Sequence, residues 1–391
     1  MEYQPLQKLY FQNKENAAEI YQKRFNSETA FKYDFFIGEN QAFVMFNKEV
    51  LDLVYRVLQG YRKLQETKIV PPLMEEYFKN ACLIEELFST NEIEGVRSTK
   101  KQLQEVYYNK GSAKRFAGIC RKYELIAGGG DVKLETCQDI RNLYDDILLN
   151  DMEEENAPDG VYFRKERVGI WDVSRQKEIH TGVRGEKEII SNMEILLKIL
   201  HDDNPNKLIN IAVCHYFWGY IHPFYDGNGR MARLISSYQL GKEFDAQVAL
   251  NLSNSVKANK KKYEKSFEIT GDFRNFGDLT PFVISFLEIV ESNIVGTYEK
   301  IVEKGEKFEF YKAKIADAGY DEKRAGLLII LTQIALFGAQ GATVKELAVM
   351  AQCSESTLRK YLKEIPKELL WVTGRGNSDL YEIHLTNLEK A

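Results

Sequence analysis

Apolar positions recur at helical spacing through most of the chain. Residues 49–66 (EVLDLVYRVLQGYRKLQE) set Leu51, Val54, Tyr55, Val57 and Leu58 on one side of a helix. Residues 71–95 (PPLMEEYFKNACLIEELFSTNEIEG) open on a proline pair suited to a helix start and close at Gly95, a natural residue just past a helix end. Further helices are expected at about 99–109, 114–127, 135–149, 186–201, 207–221, 229–242, 256–269 and 279–303. One stretch departs from this period. VYFRKERVGIWDVSRQKEIHTGV (161–183) has β-branched and aromatic runs either side of the polar SRQK, which predicts a strand, a turn and a strand.

The last part of the chain reads differently. A buried-type helix at 323–337 precedes TVKELAVMAQ (343–352) and SESTLRKYLKEI (354–365), and two short strands then flank a Gly/Asn/Ser/Asp turn. Helix, helix–turn–helix and terminal hairpin is the order of a winged helix. The expected fold is therefore mainly α. Residues 1–70 form a helical N-terminal extension, 71–303 a helical core with one β-hairpin, and 321–391 a winged helix-turn-helix domain.

Composition narrows the function classes. The 391 residues are 44% hydrophobic and 28% charged, enough for two or three domains with real cores and too apolar for a disordered chain. A net charge of −5 gives no whole-chain attraction for nucleic acid or acidic membranes, so a phosphate ligand needs a local cationic cluster. Residues 321–391 carry nine Lys/Arg against nine Asp/Glu, without the basic footprint of a duplex-DNA binder. DNA contact through 354–365 and a protein-contact role are the two readings, and the charge balance favours the second. Five scattered cysteines with no CxxC pair point to a reducing compartment. The N-terminus shows no basic start followed by an apolar run, and the longest apolar stretch (325–338) is too short to span a bilayer. The expectation is a soluble, cytoplasmic protein with no membrane partner.

The candidate chemistry lies in IHPFYDGNGRMAR (221–233), the loop between two expected helices. The N–H groups of Gly227, Asn228 and Gly229 fall at a helix N-terminus, where unpaired donors and the positive dipole end favour an anion. A DGNG loop serves equally well as a plain N-cap and turn. Arg230 and Arg233, read as lying in the first helical turn, change that balance, because cations are disfavoured there by the dipole. Spaced i, i+3 on one face, they make sense if an oligophosphate sits beside them. Asp226 would then repel the phosphates unless a hard cation, Mg²⁺ above all, lay between. His222 titrates near neutrality and is the natural general base. Phe224 anchors the loop in the core. This set suits phosphoryl or nucleotidyl transfer to a hydroxyl, or hydrolysis by water. No P-loop or kinase signature is present.

A second mismatch mirrors the first. In TNEIEG (90–95), Glu94 sits in the last turn before Gly95, where a carboxylate opposes the helix dipole. An acid at one helix C-terminus and cations at another's N-terminus would each be relieved if they met.

HPFYDGNGRMAR resembles the signature of the Fic family, HPFx[D/E]GNGRxxR, with every specified position matched. The likeness extends to the upstream hairpin with its HTGV end and covers roughly residues 70–300. The resemblance implies AMP transfer from ATP to a Ser, Thr or Tyr hydroxyl of a target protein. His222 would deprotonate the hydroxyl, and Asp226 would hold Mg²⁺. Gly227, Asn228, Gly229 and Arg230 would cradle the phosphates, with Arg233 at the γ-phosphate. The hairpin at 161–183 would be the flap on which the target backbone docks by strand addition. Tyr263 lies where the family often has an aromatic near the base, although a core tyrosine fits the pattern equally. Thr90 through Gly95 resembles the [S/T]xxxE[G/N] inhibitory motif of one class of Fic proteins. There the Glu pairs with the second signature arginine, here Arg233, and in some relatives it also helps to remove AMP. Thr90 would steady Glu94. The resemblance allows for self-modification and a homodimer. Two alternatives stand beside this reading: a Fic transferase using another donor, and a DNA-binding regulator whose Fic core senses nucleotide. His215 and His180 lack the neighbours of a ligand and are expected to be structural.

Overall fold

The computed structural model describes residues 3–67, 69–108, 115–152, 154–172, 177–202, 206–375 and 378–389. In chain order, α1 (Leu6–Gln12) and α2 (Lys14–Phe25) precede a hairpin of β1 (Ala30–Ile37) and β2 (Asn40–Met45). Then come α3 (Lys48–Glu66), α4 (Glu75–Ile93), α5 (Lys100–Tyr108), α6 (Ala117–Ala127) and α7 (Cys137–Leu148). A second hairpin, β3 (Gly169–Asp172) and β4 (Lys177–Thr181), leads to α8 (Glu186–Leu200), α9 (Lys207–Ile221) and α10 (Asn228–Glu243). The short helices α11 (Ala246–Ala249), α12 (Leu252–Ala258) and α13 (Lys260–Gly271) precede the long α14 (Thr280–Asp317). The chain ends with α15 (Glu322–Phe337), β5 (Ala342–Thr343), α16 (Val344–Met350), α17 (Glu355–Glu364), β6 (Leu370–Arg375), β7 (Ser378–Ile383) and α18 (Leu385–Leu388).

The chain divides into two compact units. One comprises residues 1–62 and 85–295, the other 63–84 and 296–391. The first is built around α9 and α10. Helix α9 is apolar on every side and buried along nearly its whole length, as expected for a helix with no solvent face. It packs against α8 and α10, and α10 packs in turn against α6, α11 and α12. On α10 the buried set includes Asn228, Arg230, Arg233, Ser236 and Ser237, an unusual polar content for a core helix.

Two expectations fail here. Residues 1–70 are not a wholly helical extension, because β1 and β2 form an antiparallel hairpin within them. Tyr33, Phe35 and Ile37 alternate into the core, and Phe35 stacks on Phe217 of α9 with ring centroids 3.7 Å apart. The strand period was present in AFKYDFFI and competed with the helical pattern on either side. Helix α3 exists as expected but buries a different set, in which Val57 is the one fully buried residue of the expected stripe. Val50, Leu53 and Val57 face inward, while Leu51, Tyr55 and Leu58 are exposed. Both faces carry apolar residues, so periodicity alone could not choose between them.

Smaller boundary shifts have local causes. The segment 256–269 is two helices meeting at Asn259, and the last long helix runs on to Asp317. Position 114 and most of the SRQK turn (174–176) lie outside the described residues.

In the second unit, β5, β7 and β6 form a three-stranded antiparallel sheet in that order. Asp321 caps α15, a Thr343–Glu346 capping box starts α16, and Ser354 caps α17. The core is drawn from Leu327, Leu331, Leu347, Leu358, Leu362 and Leu380. The outer face of α17 mixes Arg359, Lys360 and Lys363 with Glu355 and Glu364, and Arg359 reaches Glu355 at 3.4 Å.

Two helical glycines make opposite predictions. A Cβ at Gly118 in α6 would lie 2.0 Å from the Asp146 carbonyl oxygen and 2.7 Å from the Ile147 Cα, so the two backbones have no room for it. At Gly296 in α14 a Cβ would meet nothing within 4 Å. Gly118→Ala should cost about 1–3 kcal/mol of stability through overpacking. Gly296→Ala should gain about 0.4–1 kcal/mol through a less flexible unfolded chain. Urea midpoints of the two variants, read against the parent, check both signs.

Candidate active site

Helix α9 stops at His222 because Pro223 follows, and the residue before a proline is pushed out of the right-handed helical region. His222 takes the left-handed conformation (φ 52°, ψ 63°) and its N–H still closes the last turn on the Trp218 carbonyl at 2.9 Å. The loop then folds on its own side chains. Asn228 accepts from the Phe224 N–H at 3.0 Å and donates to the Phe224 carbonyl at 2.7 Å. Phe224 is fully buried and stacks on Tyr144 at 3.7 Å. The Asn228 side chain, expected in the phosphate cradle, is thus committed to shaping the loop, and only its backbone N–H faces the helix start.

Helix α10 begins at Asn228 with Gly227 as its N-cap in the left-handed region (φ 78°). A Cβ on Gly227 would strike Leu148 at 2.4 Å, so glycine is required on both counts. Its N–H donates to the Asp226 carboxylate at 2.5 Å. Asp226 is otherwise open, with its side chain 46% exposed and one oxygen 3.4 Å from Arg230. Arg230 is buried, and its Nε has no partner among the described residues. Arg233 falls in the second turn of α10, not the first, because the helix starts at Asn228.

The guanidinium of Arg233 is 1% exposed and bonded through Nε and Nη2 to the end of α4. Its Nε donates to the Thr90 hydroxyl at 2.9 Å, and its Nη2 donates to the Thr90 carbonyl at 3.1 Å and the Glu94 carboxylate at 2.8 Å. Gly95, in the left-handed region, ends α4 with paired return bonds, Gly95 N–H to Glu92 and Val96 N–H to Asn91. That turn fixes Glu94 as the capping residue and aims its carboxylate at α10. A Cβ on Gly229 would lie 2.2 Å from a Glu94 oxygen and 3.0 Å from Arg233. Glu94 therefore lies directly over the start of α10. Burial opposes its charge, but Arg233 and then Arg230 outweigh burial and hold the carboxyl below its usual range.

His222 is pushed down to about 4, mainly by burial and then by the neighbouring His180 and Arg164. It is neutral at pH 7, and its Nδ1 is buried without a partner among the described residues. Tyr263 lies behind Arg233 and hydrogen-bonds His215 Nε2 at 2.7 Å, while His215 Nδ1 meets Ser236 at 2.8 Å. His215 is a buried bridge, held near 3 chiefly by burial. His180 holds the Tyr220 carbonyl at 2.7 Å.

Two groups escaped sequence reasoning. Glu86, fully buried one turn before Thr90, accepts from the Ser253 N–H at 2.8 Å and the Ser253 hydroxyl at 2.6 Å. Burial raises it to about 7 against those bonds, and it ties α4 to the start of α12. Its spacing to Thr90 and Glu94, i, i+4, i+8, was the available signal. Arg164, also fully buried, fell within the stretch expected as the first hairpin strand, which in the structure begins only at Gly169, and it carried no other sequence signal.

Among the described residues no group of three or more His, Cys, Asp or Glu could hold a metal by itself, and no helix is long and apolar enough to cross a membrane. One carboxylate open to solvent fits a Mg²⁺ ion held largely by substrate phosphates and water. The orphaned Arg230 Nε, together with the bare Cα of Gly229, fits a nucleotide polyphosphate.

The chain is similar to a Fic family protein from Desulfovibrio desulfuricans, with 19% identity over 87% of this chain and 97% of that one, and a TM-score of 0.54. At that identity the likeness bears on the fold. Fic-1 from C. elegans is similar at 17% identity over 64% of this chain and 72% of that one, with a TM-score of 0.44. Residues 135–240 match the model of the Fic/DOC family. That span holds α7, the β3–β4 hairpin, α8, α9, the loop and most of α10, and it is a Fic/DOC-family domain within a longer chain.

Proposed function

We propose that this chain transfers AMP from ATP to a Ser, Thr or Tyr hydroxyl of a protein, and that Glu94 restrains the transfer by pairing with Arg233. The observation that carries the reading is the Glu94 carboxylate lying over Gly229 and bonded to Arg233 at 2.8 Å. One anion already sits at the helix start whose donors and cations favour phosphate. A nucleotide phosphate at the same cations competes with it, so inhibition and substrate binding share one set of groups.

The chemistry follows from the side chains. Neutral His222 takes the proton of the target hydroxyl. The hydroxyl oxygen bonds to the α-phosphorus as the α–β bridge breaks, and pyrophosphate leaves. The first-turn N–H groups of α10 and the unpartnered Arg230 Nε hold phosphate oxygens. Asp226 holds Mg²⁺, which when bound neutralises charge on the phosphates. Tyr263 backs Arg233 through the His215–Ser236 bridge, a role away from the base. The β3–β4 flap (161–183) aligns the target backbone. Residues 321–391 are read as a winged-helix module for protein contact, since the outer face of α17 mixes both charges.

Intact-mass spectrometry after incubation with Mg²⁺ and ATP tests the reading, with self-modification and added proteins both followed. Glu94→Gly removes a charge-assisted bond of about 1.5–3 kcal/mol, so AMP incorporation should rise roughly ten- to a hundredfold over the parent. Glu94→Gly/His222→Ala should show none. Incorporation no faster in Glu94→Gly than in the parent rejects the restraint. Transfer of a different group rejects ATP as donor, and binding without turnover favours a nucleotide sensor.

A pH profile tests the base. The folded His222 pKa of about 4 lies below its ordinary 6.5, so the neutral form persists far into acid and is lost only as pH falls through the folded value. The kcat/KM of Glu94→Gly, which reports the free enzyme, should change less than about twofold between pH 6 and 8. An acid limb centred at 6.5 would exclude this assignment of His222.

A further inference from the structure

We propose that Arg164 is a positioning residue for His222: one buried guanidinium locks the histidine's left-handed backbone to both roots of the β3–β4 hairpin. The inference rests on the transferase reading above. Arg164 is fully buried, and its side-chain hydrogen bonds to the described residues run to backbone carbonyls. Its Nε donates to the His222 carbonyl at 2.8 Å, and Nη2 donates to Val183 at 2.7 Å and Ile221 at 3.3 Å. Nη1 donates to Glu166 at 2.5 Å. Glu166 leads into β3, Val183 follows β4, and Ile221 and His222 end α9.

The arrangement answers three physical needs at once. The last carbonyls of α9 have no intrahelical partner, and a cation at that end of the helix is favoured by the dipole. His222 is a non-glycine residue at positive φ, which persists only where its surroundings over-determine it. Those surroundings are Arg164 and the main-chain bonds beside it, Arg164 N–H to Pro223 at 3.1 Å and Val183 N–H to Ile221 at 3.0 Å. Gly182 closes the set. A Cβ there would lie 2.5 Å from Arg164 Nη2 and 3.0 Å from the His222 Cβ. A lysine would keep the charge but lack the planar fork that reaches several carbonyls together. The groups that form the nucleotide cradle lie on α10 and bond none of these atoms, so the clamp acts on the base and the flap alone.

Two variants in the Glu94→Gly background test this, each read by kinetics and by hydrogen exchange at the Val183 N–H. Arg164→Lys and Gly182→Ala should each lower kcat roughly 10²-fold, the cost of misplacing a catalytic group by about 1 Å. The KM for ATP should stay within about twofold, because only an interaction made in the transition state is lost. Val183 exchange should quicken at least about tenfold as the bond to Ile221 opens more often. Should Arg164→Lys fail to fold, Gly182→Ala decides, since it presses on the same contact while leaving the guanidinium in place. Unchanged kcat in a folded variant overturns the proposal. So does a parallel change in kcat, KM and melting temperature, which would mark a merely structural arginine. If the Glu94→Gly parent transfers nothing, the transferase reading fails separately, and unchanged exchange at Val183 would still overturn the clamp.

Discussion

A buried guanidinium has to be paired, and that constraint organises this domain. Arg233 is 1% exposed and permanently charged, so moving it out of water is tolerable only where several acceptors meet it. Those acceptors come from the C-terminal end of α4: a hydroxyl, a carbonyl and a carboxylate within 3.1 Å. The position of α4 is therefore fixed by electrostatics as well as by packing. Glu86 fixes it from the same face, through the start of α12. Breaking such a pair on one side leaves an uncompensated charge, so the carboxylate is displaced readily only by another anion.

The same economy runs through α10. Its buried face carries more polar groups than a core helix normally does, and four of them have separate duties. Asn228 shapes the loop, Ser236 holds His215, Arg233 takes the end of α4, and Arg230 keeps one nitrogen free. An orphaned donor in an otherwise satisfied core marks the place where something from outside completes the structure. Among the unpartnered buried atoms of the described residues, Arg230 Nε and His222 Nδ1 belong to a single loop and helix start.

Much of this was legible in the sequence, for identifiable reasons. Arg230 in the first turn of α10 and the carboxylate at the end of α4 violate the helix dipole, and such a violation can be read without coordinates, although Arg233 was placed one turn too early. The structure brings Arg233 and Glu94 together at 2.8 Å. Other features were hidden. The β1–β2 hairpin was masked by helical patterns on both sides although Tyr33, Phe35 and Ile37 alternate. The inward face of α3 could not be chosen because apolar residues lie on both. The inward turn of Asn228 is invisible because a cradle asparagine and a loop-locking one have the same sequence. Arg164 satisfies only backbone, and backbone partners leave no trace in a list of residue types.

Gly95 touches neither Arg233 nor the start of α10, yet its left-handed turn determines where Glu94 points. A Cβ at this position would meet nothing within 4 Å, so the backbone conformation is what resists it. Asparagine tolerates that conformation better than most residues, and β-branched residues tolerate it least. Substitution at residue 95 would thus grade the aim of the carboxylate in small steps without altering any group of the proposed nucleotide site. Lineages could adjust the strength of the proposed restraint through this one hinge while the rest of the site stays intact, which makes it a natural place for evolutionary tuning.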